Sequence, residues 1–137
     1  MPLSKYLIAA ALTFIVMVPL DLLWLGVIAK NFYFSRLGEL MLPTPRVDVA
    51  IAFYVIYAIG LTFFAVTPAL RDGAWSTALV YGGLFGFFAY ATYDLTNWAT
   101  LRNWPVAVVF VDIAWGVVVS GTSATLGFLL SRWLAPA

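Results

Sequence analysis

Residues 6–29 read YLIAAALTFIVMVPLDLLWLGVIA, an apolar run interrupted only by Pro19 and Asp21. A helix needs about 20 such residues to cross the hydrocarbon core of a bilayer, so this stretch has the length of a transmembrane span. Lys5 in front of it and the small residues near Ala29 would also suit a cleaved signal peptide. The run is longer than an h-region, however, and carries an acid inside it, and it is predicted to be a true span. Three further stretches behave alike, at 48–67, 75–97 and 106–130. The one at 48–67 closes at Pro68 and the Arg71-Asp72-Gly73 turn, and the last opens after Pro105, a residue suited to a first helical turn. Continuous apolar runs without two-residue alternation do not describe a membrane barrel. The expected fold is all-α: a single four-span domain, an integral membrane four-helix transmembrane bundle.

Composition agrees. Of 137 residues 64% are hydrophobic and only 9% charged, too little charge to cover a water-facing surface. Mean hydropathy is +1.01, so the lipid bilayer is the expected surrounding. A net charge of +1 without a basic run gives nucleic-acid binding no electrostatic basis. Cys and His are both absent, which removes thiol chemistry, the usual zinc and haem ligands, and the commonest general base at neutral pH. No metal and no cofactor is expected.

The links between spans are unequal. Residues 68–74 make a tight turn and residues 99–105 a short one, whereas residues 30–47 form a longer first loop. Its segment from Phe32 to Met41 is too short and too charged to span. A helix there groups Tyr33, Leu37, Leu40 and Met41 on one side, away from Arg36 and Glu39. It is expected to lie in the interface and to end at Pro43 and Pro45. Lys5, Arg71 and Arg132 fall on one side of the membrane, and Lys30, Arg36, Arg46 and Arg102 on the other. Three against four gives no positive-inside signal, so orientation is not assigned.

Alternating span direction puts Asp21, Asp94 and Asp112 in the same half of the bilayer. Trp24 follows Asp21 by one turn and Trp115 follows Asp112 by one turn, while Asn97 and Trp98 follow Asp94 by three and four, so each set shares a helix face. Tyr54, Tyr57, Tyr90 and Tyr93 lie at similar depth, and Arg102 sits in the loop above. The opposite half offers mainly hydroxyls: Thr13, Thr62, Thr122, Ser123 and Thr125. An ionised Asp at the centre of a span costs at least roughly 2.5 kcal/mol on insertion scales, so a cluster of three calls for partners. Arg102, or Lys30 by snorkelling, is the expected counter-ion. Trp75, Trp104 and Trp133 are expected as belt residues at the water interface, and Trp24 and Trp115 as deeper walls of the cluster. Gly82, Gly86, Tyr90 and Asp94 recur every four residues, as do Asp112, Gly116 and Ser120. Small residues at that spacing let helices approach closely, and for the glycines packing is a sufficient explanation. A faint repeat relates Asp21-Leu22-Leu23-Trp24, followed by Lys30-Asn31-Phe32, to Asp94-Leu95-Thr96-Asn97-Trp98, followed by Arg102-Asn103-Trp104.

The motifs DLLWLG at 21–26, YDLTNWATL at 93–101 and DIAWG at 112–116 resemble the bacterial predicted membrane proteins of domain-of-unknown-function family 2177 (DUF2177). That resemblance spans essentially the whole chain. It implies a four-span protein of the bacterial inner membrane, and it implies no activity. Three functional readings follow from the residues. In the first, the protein is a structural or accessory membrane subunit whose Asp/Trp/Tyr cluster specifies packing or docks a partner. In the second, the cluster binds or transports a small amphipathic or cationic ligand, in a cavity that a homo-oligomer or larger membrane complex could share. In the third, a lipid- or isoprenoid-modifying enzyme uses one Asp as acid and another as base or metal ligand, which the lack of His and Cys counts against.

Overall fold

Proline, glycine and one asparagine punctuate the chain into helices. In the computed structural model, which describes residues 1–136, the first long helix α1 (Leu3–Ile28) starts after the extended Pro2. A short α2 (Lys30–Leu37) runs into a single 3-10 turn, Gly38–Leu40. The next long helix, α3 (Val47–Asp72), is ended by Gly73 at φ 67°, a left-handed conformation that glycine adopts without a Cβ penalty. Helix α4 (Trp75–Thr100) follows, then a turn in which Asn103 takes φ 58°. Pro105 leads into α5 (Val106–Leu134). By length and composition α1, α3 and α5 are each apolar enough to cross a membrane. Helix α4 has the length but is diluted by Gly82, Gly83 and Gly86 and by Tyr81, Tyr90 and Tyr93.

Two of these helices change hydrogen-bond register. Residues Trp24–Ile28 of α1 and Thr62–Val66 of α3 form π turns, in which an N–H bonds to the carbonyl five residues back. The second explains a departure from the sequence expectation. Pro68 was expected to stop the span, but α3 runs on to Asp72. The backbone N–H of Thr67 donates to the Thr62 carbonyl, and this wider turn just before Pro68 relieves the clash that its ring would make in a regular helix.

The four long helices close into a ring in which α1 touches α3 and α5, and α4 touches α5 and the π turn of α3. The α4–α5 contact is the most extensive. Size is distributed inside out. The buried side chains are largely small, Ala9, Ala58, Ala65, Ala69, Ala78 and Ala124 among them, whereas Leu7, Ile15, Ile56, Phe63, Phe88 and Phe110 point outward. Apolar solvent removes the hydrophobic drive between helices, so close contact of small residues and hydrogen bonds must hold the bundle. The hydroxyls Thr13, Thr62, Thr125 and Ser131 each donate to the carbonyl four residues back, which satisfies them within their own helix.

Gly86 marks the tightest crossing. A Cβ there would collide with the Gly116 carbonyl oxygen and the Ser120 hydroxyl, and a Cβ on Gly82 would stand 2.7 Å from that of Ala124. Backbone atoms cannot swing aside, so Gly86→Ala should destabilise by about 1–3 kcal/mol. Gly26→Ala, where nothing lies within 4 Å, should be neutral. Thermal unfolding of both variants in detergent micelles checks this: a clearly lowered Tm is expected for Gly86→Ala alone.

Candidate functional site

Asp21 is the first element of the site. It sits on α1 two residues after Pro19, is only 6% exposed, and has both oxygens hydrogen-bonded. Oδ1 accepts from the Trp115 indole nitrogen of α5 at 2.8 Å, and Oδ2 accepts a short bond from the Tyr54 hydroxyl of α3. One carboxyl therefore joins three helices. The π turn that follows Asp21 ends at Ala29, whose non-helical backbone breaks the helix, and α2 then packs against α5. This returns Tyr33 to the bundle, where its hydroxyl donates to Oδ1 of Asp112 at 2.8 Å and accepts from the Trp24 indole nitrogen at 3.2 Å. Burial pushes the Tyr33 phenol above its ordinary pKa, so it keeps its proton and remains a donor.

The two hydrogen-bonded groups meet at Trp24 and Trp115. Their rings stack with centroids 4.5 Å apart and planes 8° from parallel. Trp115, three residues after Asp112, serves Asp21, and Trp24, three residues after Asp21, serves Asp112 through Tyr33. Below them Tyr57 shares a 2.7 Å hydrogen bond with Ser120, and the Tyr90 ring rests on Gly116, where any Cβ would strike it.

Asp94 differs from the other two acids. It is completely buried beside Asp112, and neither of its oxygens has a hydrogen-bond partner. Among the described residues no basic side chain is bonded to the cluster. Every hydrogen bond from a basic side chain among the described residues ends on a carbonyl or a hydroxyl. Arg102 is exposed, and Lys30 lies over the Phe34 ring at 5.9 Å, so neither is the counter-ion that the sequence suggested.

The remaining expected residues divide by helix face. Tyr93 is half-exposed, with Asn97 close to its hydroxyl and Trp104 edge-on to its ring at 5.7 Å. Trp98 is 44% exposed and faces Phe110 on the outside. It follows Asp94 by four residues instead of three, and one residue turns a helix by about 100°. The apparent repeat between the Asp21 and Asp94 segments therefore does not extend to their tryptophans. Trp104, expected at the water interface, is only 8% exposed: it packs with Ala29, Tyr33, Val108 and Val109, because α2 covers it. The same cover corrects the reading of α2. Tyr33 and Leu37 turn onto the bundle, while Leu40 and Met41 stay exposed beyond the end of α2. Tyr33 as partner of Asp112 was not foreseen, because that contact depends on the helix break at Ala29.

Between α1, α3, α4 and α5 these side chains bound a cleft of about 470 Å³. Asp21 and Asp112 supply its carboxyls, and Phe53, Tyr54, Tyr90 and Trp115 much of its wall. No basic residue lines it.

The chain belongs to the DUF2177 family of predicted membrane proteins, whose profile matches residues 6–129. No curated protein and no solved structure gives a match.

The Tyr33–Asp112 contact can be measured by a double-mutant cycle. Tyr33→Phe and Asp112→Asn should each lower stability in detergent, with a coupling energy of about 0.5–1.5 kcal/mol. Additive effects would show that the two groups do not interact.

Proposed function

We propose that the cleft binds a small organic cation with apolar substituents. The observation that carries this reading is a pair of carboxyls, Asp21 and Asp112, lining an aromatic-walled cleft that no basic side chain enters. Carboxyls gathered in a low-dielectric interior need protons or a cation to balance them. Tyr54, Tyr90 and Trp115 give the cleft an aromatic lining of the kind that favours organic cations, and a volume of about 470 Å³ is ample for a small ligand. Asp112 accepts from Tyr33 through Oδ1 and lines the cleft. The protein would do this as a multi-pass protein of the bacterial inner membrane, its ligand entering from the bilayer or its surface.

A second reading, an accessory subunit whose cluster only sets helix packing, is favoured by Asp21, since both its oxygens already hold neighbouring helices. The readings separate by charge. In phosphatidylcholine nanodiscs, with protein-free discs subtracted, saturable binding of tetraphenylphosphonium is expected, without saturable binding of the like-shaped anion tetraphenylborate. Asp112→Asn should weaken cation binding about 10-fold or more, the loss of one charge-assisted contact. Asp72→Asn, outside the cleft, should leave it unchanged. Equal binding of both ions, or full cation binding in Asp112→Asn, would overturn the binding role and leave the packing role.

A further inference from the structure

The other end of the bundle carries the opposite charge. There the first turn of α1 meets the last turns of α3 and α5 around a second cleft, of about 640 Å³. Lys5, Arg71 and Arg132 line it, and among the described residues no carboxylate does. The Lys5 ammonium donates to the Pro136 carbonyl at 3.3 Å, and Arg132 to the Gly73 carbonyl at 3.3 Å while lying over the Phe128 ring. Carbonyls position these groups without neutralising them. The neighbouring acid, Asp72, accepts from the Thr77 hydroxyl at 2.9 Å and does not line the cleft.

Basic residues at helix C-termini are common by themselves, because they complement the helix dipole. A second, independent feature points to a ligand. Thr67 lines this cleft, is 6% exposed, and its buried hydroxyl has no hydrogen-bond partner. Thr13, Thr62 and Thr125 bond back to the carbonyl four residues earlier, whereas Thr67 follows directly on a π turn and makes no such bond. A residue with an unsatisfied hydroxyl, lining a cleft whose three cations no carboxylate among the described residues neutralises, matches an oxygen-rich anion.

We propose that this cleft holds the phosphate of an anionic phospholipid. It lies at the ends of the membrane helices, at headgroup level, and Leu70 gives it an apolar wall against which an acyl chain can lie. Lys5 and Arg71 supply the attraction, Arg132 braces the Gly73 turn beside them, and the Thr67 hydroxyl donates to a phosphate oxygen. The site is independent of the aromatic cleft in the opposite half.

Native mass spectrometry of the detergent-purified protein, titrated with dioleoyl-phosphatidylglycerol or dioleoyl-phosphatidylcholine, tests the assignment. The wild type should prefer phosphatidylglycerol. Each basic side chain near an anionic surface is worth about a factor of five, so Lys5→Gln/Arg71→Gln should lose this preference by about 10-fold or more. Phosphatidylcholine adducts should not change. Thr67→Val should weaken phosphatidylglycerol binding with all charges in place, which a diffuse attraction would not do. Lys30→Gln/Arg46→Gln at the other end should have no effect. An equal loss in that double variant, or unchanged preference in Lys5→Gln/Arg71→Gln, would overturn the site. Displacement of the lipid by millimolar inorganic phosphate would overturn the lipid assignment in favour of a soluble phosphate.

Discussion

The hydrogen bonds to Asp21 hold together the half of the bundle in which the acids lie. A carboxyl buried among membrane helices cannot turn to water, so its donors must come from other segments. Here they come from Tyr54 on α3 and Trp115 on α5, which ties α1 to both neighbours at one depth. The Trp115 ring then stacks on Trp24, Trp24 donates to Tyr33, and Tyr33 donates to Asp112. Because each group is a partner of the next, moving one would leave several buried polar atoms unsatisfied. That interdependence also fixes the walls of the aromatic cleft, because Asp21, Tyr54, Asp112 and Trp115 line it as well.

Close packing holds the α4–α5 pair by a different means. Gly82 and Gly86 meet Ser120, Gly116 and Ala124 with backbone against backbone, a fit that dispersion and short-range contact favour in a solvent as apolar as the side chains themselves. Tyr90 uses the space over Gly116, and Tyr57 reaches Ser120 from α3. The glycine stripe therefore shapes the floor of the cleft as well as the helix contact.

The two π turns occur where regular helix would not serve. One follows Asp21 and lets α2 fold back over Trp104 and Asp112; the other precedes Pro68 and carries α3 to the basic end. Each widens a helix locally, and each is followed by a residue on which a site depends, Tyr33 in one half and Thr67 in the other. The result is a bundle with acids and aromatic rings toward one end and a cleft lined by Lys5, Arg71 and Arg132 at the other.

Four long helices and the gathering of Asp21, Asp94 and Asp112 toward one end of the bundle were legible in the sequence, because apolar run length and alternating helix direction are properties of the chain in one dimension. So were the close-packing faces at Gly86 and Gly116, which follow from the four-residue period of a helix. Partner choice was not legible. That Asp112 takes Tyr33 in place of Arg102, that Trp98 faces outward while Trp24 stacks, and that Trp104 is covered all depend on the rotation of one helix against another. A single residue of spacing or a five-residue turn changes that rotation by most of a right angle or more. The sequence by itself determined that the acids gather toward one end of the helices. Tertiary structure alone decided that Asp21 and Asp112 have hydrogen-bond donors, that Asp94 has none, and that no described basic side chain pairs with them, because donors are chosen by contact between helices and not by order along the chain.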